Sequence, residues 1–158
     1  MSITITPAAP ADVPVILALI RELAEYEKLL DKVVATEASL RGDLFGDRQY
    51  AEVLLGRLDG QLVGYALFFH NYSTFVGKPG IYLEDVFVKP AARGRGAGKA
   101  LLREVARIAR DRGCGRLEWS VLNWNTPAIE FYQSLGAKPL DEWTTYRMDE
   151  GAIAKLSE

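Results

Sequence analysis

Apolar and polar positions along this chain fall into two periods, and the periods mark out strands and helices. Ile3 and Ile5 alternate with Thr4 and Thr6, the two-residue repeat of a half-buried strand. Pro7 and Pro10 interrupt it. Asp12 then stands as N-cap of a helix reaching about Tyr26, with Ile16, Leu19, Ile20 and Leu23 on one face. Thr36 is the capping residue of a second, short helix ending near Phe45-Gly46. Tyr50 to Leu58 and Gln61 to His70 are rich in β-branched and aromatic residues, and Asp59-Gly60 between them is a hairpin turn. Asn71 to Gly80 reads as a loop. Ile81 to Lys89 reads as a long apolar strand ended by Pro90, although two adjacent acids, Glu84-Asp85, interrupt its middle.

Further on, Leu101, Leu102, Val105, Ile108 and Ala109 form the buried stripe of a helix that stops at Gly113. Leu117 to Leu122 is a strand. Thr126-Pro127 opens a helix that carries Ile129, Phe131 and Tyr132 and stops at Gly136. Trp143 to Met148 is expected to be a last strand. The order β-α-α-β-β-β-α-β-α-β predicts an α/β fold, a mixed sheet with helices on its faces. A length of 158 residues fits a single domain over residues 1–158.

Composition narrows the partners. With 49% hydrophobic and 25% charged residues the chain is globular rather than disordered. A formal charge of −2 and a pI near 5.5 argue against a nucleic-acid-binding surface. One cysteine, Cys114, allows no intrachain disulfide and points to a reducing compartment. No basic and apolar leader opens the chain, and no uncharged apolar run approaches the roughly 20 residues of a membrane helix. A cytoplasmic protein without a membrane partner is expected. A single histidine, His70, and a single cysteine leave no zinc site, so no metal is expected. Cys114, between two glycines, reads as an inert turn thiol and His70 as a structural residue.

The chemistry concentrates at Val86-Phe87-Val88-Lys89-Pro90-Ala91-Ala92-Arg93-Gly94-Arg95-Gly96-Ala97-Gly98, which runs strand, turn, helix. Glycines let the backbone take positive φ and let a ligand come close. Amide N–H groups converging at a helix N-terminus make a site for a phosphate or diphosphate, and Arg93 and Arg95 add guanidinium donors. The same turn read blandly is a mobile loop with solvated arginines. A P-loop would need Ser or Thr where Ala100 follows Gly98-Lys99. A dinucleotide fingerprint would need glycine at Lys99, and Glu118 falls near the start of its strand rather than its end.

Arg-x-x-Gly-x-Gly/Ala, here Arg93 to Gly98, resembles the acetyl-CoA diphosphate loop of the GNAT acetyltransferase superfamily. The resemblance runs along the whole chain: Ala9 to Glu27 is similar to the family's first helix, Gly64-Tyr65-Ala66 to its third strand, and Asn123 to Gly136 to its last motif. Within the superfamily the likeness is to the diamine (spermidine/spermine) and thialysine acetyltransferases. It is carried by Tyr26-Glu27, Gly77-Lys78, Tyr82-Leu83-Glu84-Asp85, Phe87-Val88, Trp124-Asn125 and Phe131-Tyr132.

That resemblance implies a GNAT fold, with a mixed, mostly antiparallel central sheet flanked by helices. It also implies acetyl-CoA as cosubstrate, a small-molecule primary amine as acceptor, and a homodimer. Glu84 is the implied base that takes the ammonium proton, directly or through water. At neutral pH an alkylammonium, with a pKa of roughly 10.4, arrives protonated. Tyr132 is the implied acid for the departing thiolate, with ordinary helix packing as the other reading. The backbone of Val86, Phe87 and Val88 is implied to meet the cofactor on a strand that splays from its neighbour, with the Val86 N–H as oxyanion donor. Arg93, Gly94, Arg95, Gly96, Ala97, Gly98 and Lys99 would hold the diphosphate. Asn125 and Ala128 would hold the pantetheine arm, unless Asn125 is simply a helix cap. Tyr26, Glu27, Glu84, Asp85 and an acid near Asp141 or Glu142 would face the amine. Strand alternation allows only one of Glu84 and Asp85 to face it directly. A catalytically silent acyl-CoA-binding protein of the same fold and a protein or peptide acetyltransferase are the competing readings.

Overall fold

The computed structural model describes residues 1–158, which form two compact units, Met1–Ser120 and Val121–Glu158. The first holds a five-stranded sheet in the order β1-β2-β3-β4-β5: β1 Ile3–Pro7, β2 Glu52–Leu58, β3 Gln61–Ser73, β4 Lys78–Val88 and β5 Leu117–Trp119. The first four pair antiparallel and β5 joins β4 in parallel. Helices α1 (Val13–Tyr26) and α2 (Glu37–Phe45) pack one face. Val13, Ile16, Leu17 and Leu19 of α1 and Leu40 and Leu44 of α2 share a core there with Val53, Leu55, Tyr65 and Phe87. Helix α3 (Ala97–Asp111) buries Leu101, Leu102, Val105 and Ala109 against the other face, where Leu101 closes over Gly56 of β2.

Local chemistry accounts for the turns. Asp59 and Gly60 both take positive φ (50° and 82°), the two left-handed residues of the tight hairpin that Asp-Gly favours. Thr36 Oγ1 accepts from the Ser39 N–H at 3.1 Å and starts α2. Asp12 departs from expectation. It precedes α1, but its carboxylate accepts from the Ala9 N–H at 2.8 Å and closes a 3-10 turn over Pro10–Asp12. Pro14 removes one of the amide donors a cap would have served. The expected loop over 71–80 is also shorter, because the β3–β4 ladder runs out to Ser73 and Lys78 before Gly77 turns the chain.

In the second unit, α4 (Thr126–Ser134) is capped by Asn125 and α5 (Glu150–Leu156) by Asp149. The strand expected at Trp143 to Met148 does not form, and β5 stops at Trp119 instead of Leu122. A run of β-formers becomes a strand only with a neighbouring strand to bond. The second unit contains no other strand for these residues to bond. Helix α5 was not anticipated. No helix is long and apolar enough to cross a membrane.

Candidate active site

The glycine-rich turn is a helix mouth. Gly94 and Gly96 have φ of 78° and 92°, where a side chain would be strained, and Gly96 is the residue from which α3 starts. The first backbone bond of the helix is Ala100 N–H to Gly96 C=O at 3.0 Å. The N–H groups of Ala97, Gly98 and Lys99 precede it and have no acceptor within the helix, and no side chain caps them. Arg95 and Lys99 are exposed beside this positive end. The geometry suits an anion.

Strand β4 leads into this turn, and its ladders are interrupted in two ways. On the β5 side pairing covers only Ile81, Tyr82 and Leu83, so Glu84 to Val88 run past the end of β5. The Lys89 N–H donates to Val63 at 2.7 Å, which fixes the phase of the ladder with β3. By alternation the Phe87 amide also faces β3, and the Val86 and Val88 amides face the opposite edge. On the β3 side Leu67 pairs with Asp85 and Phe68 with Leu83, so Glu84 is an extra residue, a β-bulge.

The bulge corrects the simple alternation expected for the two acids. In β3, Tyr65 and Leu67 face α1, while Phe68 and His70 lie on the α3 side. Their partners follow them, because residues opposite each other in a ladder share a face. Leu83 and Ile81 go with α3, whereas Asp85 and Phe87 go with α1. Four odd-numbered residues of one strand thus change face at Glu84. Asp85 lands against Tyr65, whose hydroxyl donates to Asp85 Oδ2 at 2.7 Å. Glu84 stays exposed.

Glu27, at the C-terminal end of α1, joins this group. Burial, and then the Asp85 charge, pushes its carboxyl above the usual range. Burial pushes Asp85 up as well, opposed by the Tyr65 hydrogen bond. Tyr65 has no solvent exposure, and burial together with the Asp85, Glu27 and Glu84 carboxylates raises its phenol far above the ordinary value. A phenol so placed keeps its proton and acts as donor. Negative charge is therefore concentrated here in a partly dry setting, a disposition typical of functional sites.

Arg93 is anchored within the first unit. Its Nε donates to the Val88 carbonyl at 2.9 Å, and its guanidinium carbon lies 4.4 Å from the Tyr26 ring centroid and 5.7 Å from that of Phe87. Arg93 therefore ties the turn to the end of α1. Lys89 adds a 3.8 Å ion pair to Glu22 of the same helix. Tyr26, Glu27, Glu84, Asp85 and Arg93 all belong to the first unit.

Asn125, Ala128, Tyr132 and Glu142 belong to the second. Asn125 is 8% exposed, and its Oδ1 accepts from the Ala128 N–H at 3.4 Å, so it caps α4. Tyr132 is half-buried on α4 with its ring 5.8 Å from that of Phe131. Asp141 and Glu142 lie in an exposed turn. His70 stands 3.4 Å from Arg112, away from the acid group, and Cys114 follows the C-terminal turn of α3.

Three features escaped the sequence reading. Tyr65 had a signal, since a phenol inside an aliphatic strand needs a partner. The bulge had one in the paired acids of an apolar run. The Arg93–Tyr26 stack had none, because the two residues lie far apart in the chain.

Residues 18–137 match the Acetyltransferase (GNAT) family. A thialysine N-epsilon-acetyltransferase of Sus scrofa is 41% identical, with 99% of this chain and 98% of that protein covered. An L-ornithine N5-acetyltransferase of Arabidopsis thaliana is 32% identical, covering 96% of this chain and 86% of that one. Among solved structures, an integron cassette protein from the mobile metagenome of V. cholerae superposes with a TM-score of 0.83 at 27% identity, covering 100% of this chain and 99% of that one.

Proposed function

Because this chain belongs to the GNAT family of acetyltransferases, we propose that it moves the acetyl group of acetyl-CoA to a primary amine of a small molecule that carries a second cationic group. Thialysine, lysine-like amino acids and diamines are the substrate class. The observation that carries this reading is the pair of half-buried carboxylates, Glu27 and Asp85, next to the exposed Glu84. Such a group has most to gain from a cationic ligand. Full-length similarity to a thialysine acetyltransferase supports the same class.

In the mechanism we propose, both substrates are bound together and attack is direct. The diphosphate of acetyl-CoA sits at the mouth of α3, on the amides of Ala97, Gly98 and Lys99, with Arg95 and Lys99 alongside. The pantetheine arm follows the β4 edge beyond Leu83. Glu84, directly or through one water, takes a proton from the substrate ammonium. The freed amine nitrogen bonds to the thioester carbonyl carbon, and the Val86 N–H stabilises the oxygen as it becomes anionic. The carbon–sulfur bond then breaks and Tyr132 gives its proton to the thiolate, while the nitrogen sheds its second proton as the amide forms and so restores the phenol through solvent; Glu84 releases the proton it took to solvent. Tyr132, Asn125 and Ala128 enter on the sequence likeness of the last motif. Family likeness likewise supports a single acetyltransferase domain acting as a homodimer. Acidic composition and a lone thiol support a cytoplasmic setting without nucleic-acid or membrane partners.

A panel of primary amines with acetyl-CoA, read by release of free thiol, tests the proposal. Turnover is expected with diamines and lysine analogues, and much less with monoamines or peptides. CoA binding without turnover on any amine would favour a silent acyl-CoA-binding protein.

A further inference from the structure

Tyr65 is the one fully buried side chain in the core beside α1 and α2 that carries a polar atom, and that atom is aimed at the acid group. Its hydroxyl lies 2.7 Å from Asp85 Oδ2 and has one hydrogen to give. The ring is locked among Leu55, Leu44 and Phe87 in the same core, with the Phe87 ring centroid 6.5 Å away. The hydroxyl therefore cannot swing away without unpacking that face. Asp85 meets it only because the bulge at Glu84 turns Asp85 toward α1.

We infer that Tyr65 is a positioning residue for substrate selection: its hydroxyl fixes the Asp85 carboxylate as the anion that receives the second cationic group of the amine. The inference rests on the amine-acetylation reading above. A hydrogen bond donated to a carboxylate favours its charged form and sets its orientation. The titratable groups around Asp85 are Tyr65 on β3, Glu27 at the end of α1 and the neighbouring Glu84. Burial works against ionisation of Asp85, and the Tyr65 hydroxyl works for it. A second cation can bind only while Asp85 is ionised. Its hold persists above the Asp85 pKa and fails as pH falls through it.

Tyr65→Phe removes one oxygen and keeps the ring. We compare kcat/KM for 1,4-diaminobutane and n-butylamine across pH with full-length protein, and monitor the fold by circular dichroism. The diamine-to-monoamine ratio should fall about tenfold or more, the worth of one hydrogen bond to a charged group. The acid limb of the diamine profile should move to higher pH, because burial is then unopposed. Asp85→Asn keeps an acceptor for the hydroxyl but removes the charge. It should lower the ratio at least as far, and the double variant should add little. An unchanged ratio in either variant, an equal loss on both amines, or a Tyr65→Phe chain that does not fold would overturn the inference. A wild-type protein that acetylates both amines equally would also overturn it while leaving acetyl transfer intact. A wild-type protein that acetylates neither would sink the underlying reading.

Discussion

Two carboxylate sites on the same sheet have opposite environments. Glu52, on β2, is clamped by Arg112 through two bonds of 2.7 and 2.8 Å, and those bonds hold its carboxyl below the usual range. No basic side chain acts on Glu27 or Asp85: burial and then the Asp85 charge push Glu27 up, and burial pushes Asp85 up against the Tyr65 hydrogen bond. The Glu52 charge is answered within the fold, and its role is structural. The charge on the other pair meets no such partner, and in the function proposed here the substrate cation answers it. Composition cannot separate the two cases, since all three are ordinary acids in a chain of charge −2.

The comparison can be broken most sharply at Glu84. Glu84→Gln should lower kcat by about 10²- to 10⁴-fold, the span of general base catalysis, with CoA affinity little changed. Glu52→Gln should leave kcat unaltered. Equal losses in both would place catalysis elsewhere. Arg93→Ala comes next. Losing its bond to Val88 and its stack on Tyr26 should weaken CoA binding about tenfold and raise the KM for the amine as well. A change in CoA affinity alone, measured by calorimetry beside steady-state kinetics, would deny the link to α1.

The smallest effect is the most diagnostic, because its sign differs between the sites. Asp85→Asn should stabilise the fold by about 1 kcal/mol at neutral pH, since a buried charge is removed and its hydrogen bond kept. That gain is full above the raised Asp85 pKa and fades as pH falls through it. Glu52→Gln should cost about 0.5–1 kcal/mol, a figure that reflects the partial exposure of the ion pair. Its cost is full above the ordinary glutamate range and fades as pH falls through the lowered Glu52 pKa. Denaturant melts across pH check both slopes. Parallel slopes would erase the distinction between the sites.

Much of this was legible from residue order, because it depends on local periods and turn chemistry. The Asp59-Gly60 hairpin, the α3 stripe, the glycines of its mouth and the Asn125 cap are properties of short windows. Trp143 to Met148 misled for the opposite reason. Its pattern is that of a strand, but a strand is a relation between two segments, and its own unit supplies no second one. The paired acids mark an irregularity in β4, but the register of the bulge lies beyond local reading in the same way. Nothing in Leu83-Glu84-Asp85 alone says which residue of β3 each will oppose, and the face that Asp85 takes depends on that register. The motif places Arg93 at the turn, but its stack on Tyr26 depends on the fold.

The extra residue at Glu84 has a consequence for how such sites diversify. Exchange of one amino acid for another in β4 alters a single side chain and leaves its neighbours aimed as before. Loss of one residue just ahead of Glu84 would realign the ladder and carry an acid from one side of the sheet to the other. In this strand a codon deletion thus re-aims several side chains at once, where a missense mutation alters one.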